Sequence, residues 1–286
     1  MLVVISVILF CAVYAAWPWL RKHSNAPPEL PGALPIIGHS LQVFGDRKHL
    51  WNFLRRLQNC SLDKGGVIRF WFPTNLFYVV TDPEDSLTVA NSCLSKPFFY
   101  DFAKEYINNG LITAVESIWK SHRKLLNPLF SQQVLNTYVN EMNVQARSLV
   151  SRLSLKVEKG PLDMRKFFVN YTLSTVTRTS LGLNTEDQTT IDTDYAEAVE
   201  DLFELYCDRF QRVWLYLPYL FDLSAMKRKQ TILLKKLKNI IDPVILKRKC
   251  ELQANKHPDY AYDDTTSGKF KPVLDQMLRL AEEQDV

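Results

Sequence analysis

The segment 110–130 reads GLITAVESIWKSHRKLLNPLF and contains the motif Trp119-Lys120-Ser121-His122-Arg123. We expect a helix over about 116–127, and residues four apart on a helix share one face. The indole N–H of Trp119 and the guanidinium of Arg123 therefore project side by side. Two adjacent donors, one of them cationic, suit a carboxylate that lies against an aromatic surface.

The motif also has a plainer interpretation, because a packed Trp beside a solvated Arg arises easily by chance in a chain of this size. The sequence lacks GxxxxGK[ST], GxGxxG, HExxH and GxSxG, the motifs of phosphate-binding loops, zinc proteases and serine hydrolases. Its five cysteines form no CxxC pair, so neither a zinc site nor a disulfide framework is expected. The context of the motif must decide between the two interpretations.

The composition excludes several classes of protein. The chain has 286 residues, 47% hydrophobic and 23% charged, which is the balance of an ordinary folded protein. It is too apolar for a disordered chain, and its charges are too widely spread for a polytopic membrane protein. The net charge of +4 is too small to indicate nucleic-acid binding.

The N-terminus departs from this average. Leu2–Leu20 holds 19 consecutive uncharged residues, and a helix of that length spans roughly 28 Å, the thickness of a bilayer core. Trp17 and Trp19 lie where an aromatic belt is expected, and Arg21 and Lys22 follow directly. We therefore predict a transmembrane signal-anchor over residues 1–20, with the rest of the chain in the cytosol. A signal peptide cleaved after Val13-Tyr14-Ala15 is the alternative, but its expected basic n-region is absent.

Residues 21–38 form a basic stop and a proline-rich hinge, PPELPGALPIIG over 27–38. Each proline fixes its own φ and pushes the preceding residue out of the α region. The pattern predicts a stiff, extended spacer. A generic linker and an SH3-type ligand are the alternatives, and neither accounts for its place directly after an anchor.

The remaining sequence predicts a mainly α fold with a small β-sheet, of the α+β class. Asp46 caps a first helix with Leu50, Phe53, Leu54 and Leu57 on one face, and Gly65-Gly66 ends it. Strands over 67–72 and 76–81 form a hairpin, Asp82-Pro83 starts the next helix, and 96–115 is expected to be a long loop. Further helices are predicted at about 116–127, 131–158, 163–181, 193–212 and 224–255, with core stripes at Leu135/Tyr138/Met142/Ala146/Leu149/Leu153 and Tyr195/Val199/Leu202/Tyr206/Phe210.

The order of anchor, basic stop, proline hinge, aromatic hairpin and WxxxR helix resembles the N-terminal half of a microsomal cytochrome P450. Segment 110–130 is most similar to the clan of fatty-acid ω-hydroxylases and related insect enzymes. The resemblance implies that Trp119 and Arg123 hydrogen-bond a propionate of haem b. It also implies that Phe99, Phe102 and Ile112 belong to a loop over the substrate pocket, and that His122 is structural.

The departures from that family are equally specific. The family's iron ligand is a Cys in an FxxGxRxCxG loop, and none of the five cysteines here has a Gly two residues later. The sequence also lacks ExxR and the Ala-Gly dipeptide of the oxygen-activating helix. Residues 39–286 are therefore expected to be an incomplete haem-thiolate monooxygenase domain that ends before the oxygen-activating helix and the Cys loop, with no metal ligand and no catalytic residue of its own.

The resemblance implies a function for a full-length protein. That function is insertion of one oxygen atom from O2 into a fatty acid, hormone-like lipid or xenobiotic, with electrons from NADPH through a haemoprotein reductase. A b-type cytochrome is a further candidate donor, and the expected location is the endoplasmic reticulum membrane, single-pass, with the globular part facing the cytosol. The 286-residue chain alone is expected to be inactive. The alternative function is a non-catalytic, membrane-tethered helical module or scaffold.

A second membrane contact is predicted after the helix 193–212. Residues 213–221 carry no charge and include Trp214 and Tyr219, and segment 227–249 holds nine Lys and Arg against Asp242 alone. In the resembled fold this region rests on the bilayer, with the aromatics in the interface and the basic residues at anionic headgroups. The alternatives are core packing for the apolar segment and a solvated face for the basic helix.

Overall fold

A β-hairpin follows the first long helix, as the sequence predicts. The computed structural model describes residues 26–72, 75–182, 193–254 and 272–284. β1 (Val67–Trp71) and β2 (Leu76–Val80) pair antiparallel, with Val67 opposite Val80 and Trp71 opposite Leu76. The rest of the described chain is mainly helical, which confirms a mainly α fold with a small sheet.

The chain divides into two compact units. Unit 1 comprises residues 1–95 and 207–222, and unit 2 comprises residues 96–206 and 223–286. Among the described residues, no helix combines the length and apolar composition that crossing a bilayer requires. The predicted anchor, Leu2–Leu20, lies outside the described residues, so it stays a prediction.

Unit 1 begins with short helix α1 (Ser40–Val43) and long helix α2 (Arg47–Asp63), and α3 (Pro83–Ser92) follows the hairpin. The predicted caps are confirmed, since the carboxylate of Asp46 accepts from the His49 N–H and that of Asp82 accepts from the N–H groups of Glu84 and Asp85. The prediction that Leu54 belongs to the buried face of α2 is wrong. Leu54 is 48% exposed, because the buried face of α2 follows Phe53 and Leu57, which are four residues apart.

The proline-rich segment, predicted to be a stiff, extended spacer, pairs with β1 of unit 1 along residues 28–30. The Leu30 N–H donates to the Arg69 carbonyl at 2.9 Å, and the Arg69 N–H donates to the Pro28 carbonyl at 2.9 Å. The Leu30 side chain is buried in the core beside β1. The extended backbone that the prolines impose leaves these groups free of local bonds, so they pair with the open edge of β1.

The core of unit 1 combines the hairpin, α2 and the apolar residues of 210–216. The Phe72 and Phe210 ring centroids lie 4.8 Å apart, and the Tyr216 hydroxyl donates to the Phe210 carbonyl. Residues 213–216 form a 3-10 helix, and α9 (Pro218–Asp222) follows it. The buried residues of this core cluster are Leu30, Val43, Phe53, Leu57, Ile68, Phe70 and Phe72.

Unit 2 holds the remaining helices. These are α4 (Lys104–Ile107), α5 (Glu116–Leu126), α6 (Gln132–Ser154), α7 (Met164–Leu181), α8 (Thr193–Gln211), α10 (Ala225–Ala254) and α11 (Val273–Gln284). Residues 193–206 of α8 belong to unit 2, and its last residues belong to unit 1. The predicted helix positions are confirmed to within a few residues. The prediction of a long loop over 96–115 is wrong, because Phe98–Ala103 forms a 3-10 helix that leads into α4. Its aromatic side chains pack on one another and fold the segment locally.

The two predicted core stripes have different outcomes. On α8, Leu202 and Tyr206 are buried, as predicted. On α6 only Tyr138 of the stripe is fully buried, and Met142 is 39% exposed. The main described neighbour of α6 is α7, and a single neighbour covers only part of a helix surface.

Candidate functional site

The helix α5 presents the predicted donors at one surface. Trp119 is half-buried and Arg123 is exposed, one turn further along the helix. The central carbon of the Arg123 guanidinium lies 5.2 Å from the centroid of the Trp119 ring, within the range of a cation–π contact. The structure thus brings together the two residues that the sequence selects.

A third residue of this site was not predicted. The Lys96 ammonium lies 5.5 Å from the centroid of the same Trp119 ring, and 6.0 Å from that of Tyr100. Lys96 and Trp119 are 23 positions apart, so helical spacing cannot relate them. The sequence feature that could have indicated Lys96 is its position two residues before the aromatic run that starts at Phe98.

An open groove of about 540 Å³ borders these residues. The Lys120 ammonium is paired with the Glu116 carboxylate at 2.8 Å, which neutralises one of the groove's cations. Arg123 and Lys124 form no ion pair with any residue that the structure describes. The groove therefore carries uncompensated positive charge beside an indole ring, and the residues that line it are Trp119, Lys120, Arg123, Lys124, Asn127 and Pro128.

The predicted pocket residues occupy different surroundings. Phe102 is buried, and the rings of Phe99 and Phe102 both contact Phe98, at centroid distances of 5.8 Å and 6.1 Å. Ile112 is 52% exposed and lies nine residues beyond the end of the 3-10 helix Phe98–Ala103. The structure therefore groups Phe99 with Phe102, and their role at a substrate pocket stays a prediction.

Polar contacts tie this aromatic segment to two helices of unit 2. The Glu105 carboxylate accepts from the Lys227 ammonium at 2.5 Å and from the Gln230 amide at 2.8 Å, both on α10. The hydroxyls of Tyr106 and Tyr195, the latter on α8, lie 3.2 Å apart. Burial, with a smaller contribution from this hydrogen bond, raises the pKa of Tyr106 above its ordinary value. These contacts join positions about 90 to 125 residues apart, so no local sequence pattern indicates them.

Comparison with known proteins identifies the family. The family model described as Cytochrome P450 matches residues 27–276 of this chain. The chain belongs to the cytochrome P450 family. The resemblance inferred from the order of sequence features is thereby confirmed.

Curated cytochromes P450 align with nearly the whole chain. Cytochrome P450 4c3 of Drosophila melanogaster is 26% identical over 293 residues, which cover 98% of this chain and 54% of that protein. Cytochrome P450 4c21 of Blattella germanica is 25% identical over 287 residues, covering 98% and 57%. Cytochrome P450 4V2 of Homo sapiens is 24% identical over 293 residues, covering 98% and 54%. The chain spans about half the length of these relatives.

Cytochromes P450 bind haem iron. A guanidinium without a carboxylate partner, beside an indole N–H and two further ammonium groups, is a suitable donor set for a carboxylate such as a haem propionate. The described residues contain no cluster of His, Cys, Asp or Glu that could hold a metal ion.

Proposed function

We propose that the groove beside Trp119 and Arg123 holds a haem propionate, and that a protein containing this chain is a membrane-anchored haem-thiolate monooxygenase. The observation that carries the proposal is the Arg123 guanidinium, which lies 5.2 Å from the Trp119 ring centroid and has no carboxylate partner among the described residues. An anionic group placed there gains a charge-assisted hydrogen bond without breaking an existing ion pair.

The side chains of this chain have separate tasks at such a site. Arg123 neutralises the carboxylate, and the Trp119 N–H donates a second hydrogen bond that fixes its orientation. Lys96, which approaches the indole from another part of the chain, adds positive charge to the same place. When bound, haem supplies the iron at which O2 is activated, and a thiolate ligand tunes that iron.

The proposed substrate is lipophilic, a fatty acid, hormone-like lipid or xenobiotic. Phe99, Phe102 and Ile112 would form the near wall of its pocket, and the ring contacts of Phe98 with Phe99 and Phe102 support an apolar lining. The Glu105 carboxylate, which accepts hydrogen bonds from Lys227 and Gln230 of α10, supports a fixed position for the aromatic segment that precedes it. Electrons would come from NADPH through a reductase, with a b-type cytochrome as a further donor, and Lys120 and Lys124 are exposed residues that an acidic reductase surface could meet.

The proposed location is the endoplasmic reticulum membrane, with the anchor at residues 1–20 and the globular part in the cytosol. Exposed apolar side chains of unit 1 support a second contact with lipid. Phe44 and Trp214 are 48% and 49% exposed and touch each other, with ring centroids 5.8 Å apart, and Tyr219 is 70% exposed. Aromatic rings of this kind are favoured at the bilayer interface.

The second candidate function is a membrane-tethered, non-catalytic helical module. Such a module would use the same described helices as the first candidate and would need no iron ligand. The reading frame beyond Val286 separates the two candidates. A frame that continues into an FxxGxRxCxG loop favours the monooxygenase, and a stop codon there favours the module.

The decisive experiment compares the 286-residue chain with a chain extended through that loop. Each is expressed with excess haem, reduced and exposed to carbon monoxide, and its Soret band is recorded. We expect a thiolate-type ferrous–CO spectrum from the extended chain and none from the shorter one. A folded extended chain that binds no haem would refute the proposal, and a thiolate-type spectrum from the 286-residue chain would refute its inactivity alone.

A further inference from the structure

A cleft between α6 and α7 is lined by both polar and apolar side chains. Its volume is about 260 Å³, and it shares no lining residue with the Trp119 groove. Arg152 of α6 and Lys166 of α7 bring two cations to it. Neither side chain forms an ion pair or a hydrogen bond with any residue that the structure describes.

Neutral donors complete the lining. Ser148, Tyr171 and Ser174 place three hydroxyl groups at the cleft, and none of the three makes a side-chain hydrogen bond within the described part of the chain. Leu149 and Phe167 supply the apolar part of the wall. The cleft thus combines two cations and three hydroxyls with an apolar surface wide enough for a ring or a short chain.

No carboxylate on either helix is available to compensate these cations. Glu141 is the sole acidic residue in the sequences of α6 and α7. Its carboxylate is occupied by the guanidinium of Arg178, with nitrogen–oxygen distances of 3.0 Å and 3.3 Å. Unpaired cations in a concave site attract anions, and hydrogen bonds to a charged acceptor are stronger than those to a neutral one.

We propose that the α6–α7 cleft binds a phosphate monoester carried on a small ring or short apolar chain. The two negative charges of the monoester match Arg152 and Lys166, and its terminal oxygens can accept hydrogen bonds from the three hydroxyls. The organic group lies against Leu149 and Phe167. This site is separate from the proposed haem site, and its test does not depend on haem.

The test is calorimetric titration of the 286-residue protein with phenyl phosphate, inorganic phosphate and phenol at low salt. We expect saturable binding in the order phenyl phosphate, inorganic phosphate, phenol, and weaker binding of both phosphates at high salt. Arg152→Gln and Lys166→Gln should each weaken phenyl phosphate binding about tenfold, the effect of one charge-assisted hydrogen bond. Arg152→Lys, which keeps the charge, should lose less.

The control variant is Lys156→Gln, which removes an exposed cation beyond the end of α6 that does not line the cleft. It should change the affinity less than twofold, and a thermal melt of each variant shows whether the fold is kept. The proposal is overturned if phenyl phosphate gives no saturable binding. It is also overturned if folded Arg152→Gln and Lys166→Gln proteins bind it as tightly as the unchanged chain, or if phenol binds equally well.

Discussion

The guanidinium of Arg123 lies over the indole of Trp119, one turn away on α5, with 5.2 Å between the central carbon and the ring centroid. This contact orders a long, exposed side chain without consuming its hydrogen-bond donors. Arg123 therefore remains free to bind a carboxylate while its position is already restricted. The same indole also receives the Lys96 ammonium at 5.5 Å, so one aromatic ring organises two cations from distant parts of the sequence.

Arg123→Ala should lower haem retention in a chain that includes the iron-ligand loop. Removing the guanidinium deletes one charge-assisted hydrogen bond, which corresponds to about a ten- to hundredfold weaker affinity. Trp119→Ala should have a milder effect, since it removes a neutral donor and leaves the cation. The measurement is haem occupancy from the Soret absorbance after dialysis against a haem-binding protein.

Lys120→Ala is the matched control for this prediction. Lys120 lines the same groove, but its ammonium is already paired with Glu116. Its loss should change haem retention by less than a factor of about three, the usual range for an exposed ion pair. Full haem occupancy in the Arg123→Ala protein would refute the propionate site and favour the plainer interpretation, a packed Trp beside a solvated Arg.

The ion pair of Glu141 with Arg178 should make the stability of unit 2 depend on pH. The hydrogen bond from Arg178 lowers the pKa of Glu141 below its ordinary value of 4.5, which outweighs the opposite effect of burial. A carboxyl with a lowered folded-state pKa stabilises the fold above its unfolded-state pKa, and this contribution is lost as pH falls through the folded-state pKa. Glu141→Gln should therefore cost on the order of 1 to 2 kcal/mol at pH 7 and little at acid pH.

Urea unfolding of the chain, followed by circular dichroism at pH 7 and below pH 4, measures this difference. Glu197→Gln is a suitable control, because Glu197 is an exposed carboxylate of α8 with no ion pair among the described residues. An equal loss of stability in Glu141→Gln at both pH values would show that the ion pair is not the cause.

Gly182→Ala should destabilise the chain more than Gly160→Ala. Both glycines have left-handed φ angles, +68° and +91°, so an alanine at either position costs about 1 kcal/mol. At Gly182 the added Cβ would also lie 2.5 Å from Cγ of Pro272, whereas at Gly160 nothing lies within 4 Å. The clash should add about 1 to 3 kcal/mol. Chemical denaturation of the two variants gives the difference, and equal losses would contradict this packing.

The sequence predicted local features well because local rules determine them. Caps such as Asp46 and Asp82 bond to residues two or three positions away, and Trp119 and Arg123 are related by helical spacing alone. Lys96 was missed because its place beside Trp119 depends on how the segment after Pro97 folds. The same holds for Leu30, whose burial depends on pairing with β1, and for Met142, whose exposure depends on which helices surround α6.

Neither of the two N-glycosylation motifs should be modified if the predicted topology is correct. The motifs begin at Asn59, which is exposed on α2, and at Asn170, which lies on α7. An anchor that leaves the chain after Arg21 in the cytosol keeps both away from the glycosylation machinery. Glycosidase treatment of the protein from microsomes should therefore not change its electrophoretic mobility. A glycosylation tag fused ahead of Met1 is the positive control and should be modified, whereas a glycan on Asn59 or Asn170 would refute the signal-anchor.

A chain that lacks residues 1–22 should still bind liposomes through the exposed apolar residues of unit 1. Trp214 is 49% exposed, and transfer of the exposed half of such a ring into the interface is worth about 2 kcal/mol. Trp214→Ser should therefore weaken binding to liposomes roughly thirtyfold. Tyr78→Ser, at a tyrosine of β2 that is 55% exposed, is the matched control and should have little effect.

The charge of the lipid should affect liposome binding less than the number of basic residues in 227–249 suggests, because several of them are already in ion pairs. Ion pairs join Lys227 to Glu105, Lys229 to Asp201, Lys236 to Asp194 and Arg248 to Asp275. Arg228, Lys235 and Lys238 are exposed and form no ion pair within the described residues, and each can add about 1 kcal/mol at an anionic surface. Binding should thus strengthen with the fraction of anionic lipid and weaken with salt. Replacing all three by Gln should reduce this salt dependence while leaving the effect of Trp214→Ser intact, and binding indifferent to lipid charge would show that α10 does not contact the membrane.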